Sequence, residues 1–329
     1  PRKVVYSEGS MIRPLDARDY PALIALLEAA DADPSLRTFA PDSRTVDELA
    51  LELGDDSPEH ESLAFVLEQD GHLIAFVNLM SEDGEHVIEG PVMTQDAPAD
   101  AVADLVKRVL KFAPQRHYEF IDAFIDEENK RAQAVLRQAK MQAFRTTYLY
   151  ELERNGQAVD RKRLTHHPEV KLRLIRSLST DPNDSHPSRL DVACYRDLYR
   201  DTTEDWHDRL TWSDDELIAH FANNSVQLLV AEQHTKLLGH LELEMISLAP
   251  ETEPHEAEIA YFGILPEARG HSIGKRLVQA GIDLAFERDS VHMLVARAHD
   301  DERAACKVLE SLGFHLRQSV LGFTWELRS

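Results

Sequence analysis

The stretch Glu258 to Val278, EIAYFGILPEARGHSIGKRLV, decides how this chain reads. Ile259 to Leu265 is an apolar run of strand length closed by Pro266, the pattern of a strand buried on both faces. The turn after it carries Arg269, Gly270, Ser272 and Gly274. Beyond the turn, Ile273, Leu277, Val278, Gly281, Leu284 and Ala285 recur at helical spacing. A strand, a turn of small residues and a helix together aim several backbone N–H groups at one point. The helix N-terminus adds roughly half a positive charge there. A pyrophosphate suits such a place, with Lys275 and Arg276 in the first turn to add charge.

Two phosphate-binding patterns fail on these letters. A P-loop needs one more residue between Gly270 and Gly274, and a Ser or Thr where Arg276 follows Lys275. A dinucleotide fingerprint needs three glycines in a parallel βαβ unit. A third pattern, [RQ]-x-x-G-x-[GA] after the fourth strand, resembles the GNAT superfamily of N-acetyltransferases. Arg269 and Gly274 match it, while Ser272 stands where the first motif glycine is expected. Serine keeps the backbone N–H, so the resemblance implies weakened rather than abolished phosphate binding. It implies acetyl-coenzyme A as co-substrate, held by Phe262, Gly263, Ile264 and Leu265 and by Arg269, Gly270, His271, Ser272, Ile273, Gly274 and Lys275.

The bulk numbers allow this. A chain of 329 residues with 43% hydrophobic residues suits two domains with proper cores. No run of about 20 apolar residues marks a membrane span. The N-terminal PRKVVYSEGS has no apolar core of a signal peptide. Two cysteines, Cys194 and Cys306, make neither a disulfide framework nor a metal site, so a reducing cytoplasm is expected and no metal. A net charge of −23 argues against nucleic acid or an anionic membrane as partner and is compatible with a cationic substrate. Monomer and homodimer both remain open.

Taken in order, the first half reads β-α-α-β-β-β-α-β-α-β. Its elements include a hairpin around Asp70-Gly71, a helix from Ala101 to Lys111 and a closing strand from Thr146 to Leu152. A polar stretch, residues 155–168, reads as a linker. The pattern then restarts, and the letters repeat. EQDGHLIAFVNL from Glu68 lies over EQHTKLLGHLEL from Glu232 at an offset of 164. Ala132, Val135 and Leu136 lie over Ala305, Val308 and Leu309 at an offset of 173. The expected fold is α/β with a mixed sheet, as two tandem GNAT-like acyl-CoA N-acyltransferase domains, residues 1–154 and 169–329. That layout is similar to mycothiol synthase.

The halves are not equivalent. Where the second has PEARGHSIGKR, the first has TQDAPADAVAD, Thr94 to Asp104, without glycine or basic residue. Asp96 and Asp100 are expected to cap the helix there and to repel a pyrophosphate. The first domain therefore reads as degenerate and the second as the acetyl-CoA site.

Acyl transfer from a thioester to an amine needs a proton acceptor, a polarised carbonyl, alignment and a released thiolate. The resemblance places a general-base glutamate at Glu258, within Ala257-Glu258-Ile259, with Glu256 on the same face in reserve. It assigns backbone groups around Phe262 to Leu265 to the pantetheine arm and the carbonyl. Two family features are replaced. An asparagine that often binds coenzyme A falls at Glu302, with Asn129 as its counterpart in the first half, and a tyrosine proton donor falls at Leu309. Cys306 can approach the site or pack in the core. The loop from Arg200 to Glu216 sets Asp205, Trp206 and Trp212 among further acidic residues, an aromatic and acidic pocket for a small amine acceptor or else a solvated loop. The activity implied is N-acetylation of a small primary amine; the alternative is a non-catalytic acyl-CoA-binding protein.

Overall fold

The computed structural model describes residues 10–54, 60–82, 85–154, 169–181, 186–202, 208–247 and 254–327. The linker expected at 155–168 lies outside them. The first half contains β1 (Ser10–Pro14), α1 (Tyr20–Ala32), α2 (Val46–Gly54), β2 (His60–Gln69), β3 (His72–Glu82) and β4 (Glu85–Met93). It continues with α3 (Ala99–Leu110), α4 (Ala113–Arg116), β5 (Phe120–Asp126), α5 (Lys130–Gln138) and β6 (Gln142–Glu153). The second half contains β7 (Val170–Ile175), β8 (Ser177–Ser179), β9 (Arg189–Asp191), α6 (Val192–Thr202), α7 (Asp208–Thr211) and α8 (Asp214–Ala222). After these come β10 (Val226–Gln233), β11 (Lys236–Ile246), β12 (Glu256–Ile264), α9 (Ile273–Ala285), β13 (Met293–His299), α10 (Arg303–Ser311) and β14 (His315–Glu326).

The repeat read from the letters is a repeat of backbone. Both hairpins, β2–β3 and β10–β11, turn through a left-handed residue at matching positions, Asp70 at φ 52 and His234 at φ 57. Among the described residues, the large sheet of each half contains a parallel pair, and β8 with β9 forms a separate small parallel sheet. The large-sheet pairs are β4 with β5 and β12 with β13. Parallel neighbours need a crossover, and α3 and α9 supply it.

The chain divides into two compact units, and the division differs from the one expected. Unit 1 is residues 1–147 with 318–329; unit 2 is residues 148–317. Unit 1 has strand order β1-β2-β3-β4-β5-β14, and unit 2 has β7-β10-β11-β12-β13-β6. Residues 318–327, expected in the second domain, pair as Val320–Glu326 against Phe120–Asp126 and bury Phe323 completely in the core of unit 1. Tyr150 and Leu152, expected in the first domain, sit in the core of unit 2. Alternating apolar residues specify a strand and its inner face, not its neighbour, so the exchange was invisible in the letters. Each sheet is covered on both faces. In unit 2, α9 and α10 cover one core, and α6 and α8 cover another.

The exchange predicts that Phe323→Ala destabilises unit 1 by about 3–5 kcal/mol, as large aromatic truncations do. Hydrogen exchange should accelerate at Phe120–Asp126 and stay unchanged at Met293–His299. Acceleration confined to Met293–His299 would contradict the assignment.

Candidate active site

The site is built where β12 and β13 part. Their ladder runs from Glu256–Met293 to Ile259–Ala296 and stops, although β12 continues to Ile264 and β13 to His299. On the other side, β12 stays paired with β11, and the Leu265 N–H donates to the Leu238 carbonyl at 2.9 Å. Bonds alternate along an antiparallel ladder. Tyr261, Gly263 and Leu265 therefore face β11, while Phe262 and Ile264 turn their backbone groups toward the β13 side. Of the backbone groups expected to serve a ligand, those of Phe262 and Ile264 have the right direction, and Leu265 has spent its N–H on Leu238. The Ile264 carbonyl accepts from Arg269 Nε at 3.2 Å. Gly263 acts by close packing: a Cβ there would lie 2.6 Å from the Thr202 Cβ at the end of α6.

Glu258 stands just before the strands part. Its side chain is 15% exposed and pairs with Arg297 at 3.0 Å. Burial pushes its carboxyl above the usual range; Arg297 opposes, and the charges of Glu244 and Glu256 add to the rise. Glu256 is half-buried two residues earlier on the same face, and Glu244 lies directly opposite Glu258 on β11.

The turn between β12 and α9 has the backbone of an anion cradle. Gly270 has φ +82 with open space around it. Ser272, at φ 61, is left-handed and gives no side-chain cap to α9. A non-glycine residue there costs about 1 kcal/mol or more, the physical reason a glycine suits the position. The first helical bond runs from the Arg276 N–H to the Ser272 carbonyl at 3.1 Å, and no acidic residue occupies the first turn. The amides of Ile273, Gly274 and Lys275 are thus left to a ligand or solvent. Arg269, Gly270 and His271 are exposed, Lys275 is half-buried, and Arg276 is turned aside to the Val170 carbonyl at 3.0 Å.

Unit 1 treats the same places in opposite ways. Its parallel ladder also stops early, at Ile88–Ala123, and Val87 holds the register position of Glu258. The gap beyond is strapped by the chain itself. Phe39 donates to the Phe124 carbonyl at 2.9 Å and accepts from the Gly90 N–H at 2.6 Å. Asn129, at the position the resemblance gives to coenzyme A, donates to the Arg37 carbonyl at 3.3 Å. The turn before α3 points carbonyls of Thr94, Gln95 and Ala97 at the Arg131 guanidinium, so it holds a cation. Asp96 and Asp100 do not cap α3: its N-cap is Pro98, with no side-chain bond, and Asp100 accepts from Gln138 at 2.6 Å. In unit 2 the connection matching the strap includes residues 203–207, outside the described set, and so are Asp205 and Trp206.

Glu302 and Cys306 have local partners. The Glu302 carboxylate accepts from the His299 N–H at 2.7 Å, closing the turn before α10. The Cys306 thiol lies 3.7 Å from the His299 carbonyl and beside Tyr150, whose hydroxyl donates to Glu310 at 3.3 Å. Trp212 is half-buried and stacks under Arg209, 4.2 Å from its centroid.

That arginine belongs to a cluster the sequence reading missed. Arg209 is 3.3 Å from Glu242 and 3.0 Å from Glu244, and its other face meets Tyr261 at 5.0 Å. Tyr195 donates to Glu242, which is wholly buried, and His220 lies 3.9 Å from Glu242 and 3.7 Å from Glu244. The signal was present in the letters: His240, Glu242 and Glu244 alternate with Leu241, Leu243 and Met245, giving β11 one polar face beneath helices. Among the described residues, His220, Glu242 and Glu244 bring ligand atoms within 4.8 Å of one another. Arg209 already spans both carboxylates and supplies the cation. Burial alone raises the Glu242 carboxyl, but contact with His220 and the Arg209 charge outweigh it and hold it below the usual range.

Residues 192–314 match the acetyltransferase (GNAT) family model. That match lies within unit 2. Comparison with curated proteins gives no significant match. Among solved structures, a GCN5-related N-acetyltransferase from Sphaerobacter thermophilus is similar over 99% of this chain and 98% of its own, at 15% identity and TM-score 0.64. A tandem GNAT protein from the clavulanic acid biosynthesis pathway is similar over 97% and 99%, at 14% identity and TM-score 0.59. The fold is the tandem GNAT fold. Among the described residues, no helix is long and apolar enough to cross a membrane.

Glu242→Gln leaves Arg209 one carboxylate short in a buried site and should cost about 3 kcal/mol or more by urea denaturation. In the wild type, a lowered folded value means this stabilisation is complete above about pH 4.3 and fades as pH falls through the folded value. The variant should lack that acid-side loss. An unchanged midpoint would show that Glu242 is not ionised in the fold.

Proposed function

We propose that unit 2 transfers an acetyl group from acetyl-CoA to the primary amine of a small molecule by direct attack. The observation that carries this reading is the desolvated carboxylate of Glu258 at the mouth of the strand gap into which Phe262 and Ile264 direct backbone groups. The pantetheine arm runs along those groups, and its thioester carbonyl is polarised by an N–H. The pyrophosphate meets the amides of Ile273, Gly274 and Lys275 with Arg269 beside them. The amine nitrogen forms a bond to the thioester carbon as Glu258 takes its proton. The C–S bond breaks, and the thiolate leaves with the sulfur electrons. A thiol of pKa about 8.5 makes a fair leaving group near neutrality. Glu256, two residues before Glu258 on the same face, favours a cationic acceptor.

Unit 1 has no part in the chemistry on this reading. Val87 replaces the base, the strap fills the gap, and the turn holds Arg131. A non-catalytic acyl-CoA-binding role is the second reading. It is favoured by Leu309, fully buried where a proton-donating tyrosine is expected, and by Glu302, committed to its own turn.

Calorimetric titration with coenzyme A should give one site per chain, abolished by Arg269→Glu. A free-thiol assay with acetyl-CoA and an amine panel separates the two readings, since binding without turnover supports the second. Glu258→Gln should keep acetyl-CoA affinity and lose about 10²–10⁴-fold in turnover, the usual worth of general-base assistance. Because burial raises the Glu258 carboxyl, the acidic limb of the wild-type profile should lie above the ordinary glutamate value of about 4.3. It should vanish in the variant. Full turnover with an unchanged profile would remove Glu258 as the base and leave Glu256 next.

A further inference from the structure

Unit 1 contains a cleft of about 550 Å³ at the start of the β4–β5 ladder, away from the strap that closes its far end. That volume falls among small-molecule sites, roughly 300–1,000 Å³. Glu85, Glu119 and Asp122 line it, and among the described residues no lysine or arginine does. Carboxylates alone would be a solvated face; here they surround an aromatic floor. Phe120 is 56% exposed and Phe144 is 46% exposed, and both rings lie in the lining.

The floor is fixed by the backbone. A Cβ at Gly322 on β14 would lie 2.7 Å from Cε1 and Cζ of Phe144, so the ring rests against bare main chain. The ring already draws one cation, the Arg145 guanidinium 5.8 Å from its centroid. Asp122 is half-buried, and burial raises its carboxyl against the opposing bond from Thr324. An entering cation would add charge compensation where burial has thinned the water around Asp122. His86 stacks on Tyr118 at 3.5 Å, and burial lowers its pKa, so it adds no competing positive charge near neutrality.

We propose that this cleft binds a small organic cation, its ammonium charge among Glu85, Glu119 and Asp122 and its apolar body on the rings of Phe144 and Phe120. The site is separate from the candidate active site, and its occupancy does not depend on acyl transfer.

The test uses the full chain and benzyltrimethylammonium, which has no N–H to be acetylated, with benzyl alcohol as the neutral comparison. Calorimetry or ligand-detected NMR should show the cation binding about 10-fold more tightly than the alcohol. Phe144→Ala and Asp122→Asn should each weaken it about 5-fold or more, and Glu258→Gln should leave it unchanged. Equal affinity for the two probes would overturn the proposal. So would binding that survives both cleft variants or disappears in Glu258→Gln. Should Asp122→Asn fail to fold, Glu119→Gln carries the same test on an exposed side chain.

Discussion

A parallel pair of strands inside an antiparallel run creates the constraint on which both units turn. The pair cannot be joined by a hairpin, so a helix crosses over between its members, and the strands diverge beyond their first few residues. Divergence leaves backbone donors and acceptors unpaired inside a folded protein, where each must find a partner. Unit 1 answers internally. Phe39 bonds to Gly90 and Phe124, and Asn129 holds the Arg37 carbonyl. Unit 2 turns the backbone of Phe262 and Ile264 into the same kind of gap and leaves the first amides of α9 without a side-chain cap. One fold thus offers two solutions to the same deficit.

The polarity of the two turns follows the same logic. Before α9, left-handed Gly270 and Ser272 lead into amides at a positive helix end. Before α3, carbonyls converge on Arg131. The first arrangement suits an anion and the second a cation, and neither reverses without rebuilding the turn. On the other face of unit 2, Arg209 occupies the centre of an acidic cluster, bonds Glu244 and helps keep Glu242 ionised in place. Glu258, whose ion pair with Arg297 lies nearer solvent, is the carboxylate left with a raised pKa.

The strand and helix of the central stretch and the elements of the repeat were legible because each is a local pattern. Apolar run, turn residues and helical spacing all lie within one short stretch. Arg209 and the strap were not legible, since each acts on residues distant in the chain: Arg209 on Glu242 and Glu244, and Phe39 on Gly90 and Phe124. Glu302 has a local partner that its letter alone did not announce. Its position matched a ligand-binding asparagine, but a carboxylate at a helix start finds a backbone N–H three residues back, and His299 supplies it. The alternation of β11 was readable and was passed over, because acidic residues in an acidic protein draw attention only when their face is known to be covered.

The exchange of strands bears on why the two units stay together in one chain. Unit 2 draws Tyr150 and Leu152 into its core from β6, and unit 1 draws Phe323 from β14. A cut anywhere in 155–168 would strip unit 2 of the first two and unit 1 of the last. Each large buried side chain lost in this way removes roughly 2–5 kcal/mol, against a net stability of about 5–15 kcal/mol for a typical domain. The loss of a whole strand also leaves a ladder of unpaired backbone groups on its former neighbour. Unit 1 can therefore fill its own gap, yet it cannot be discarded without removing part of the core of unit 2.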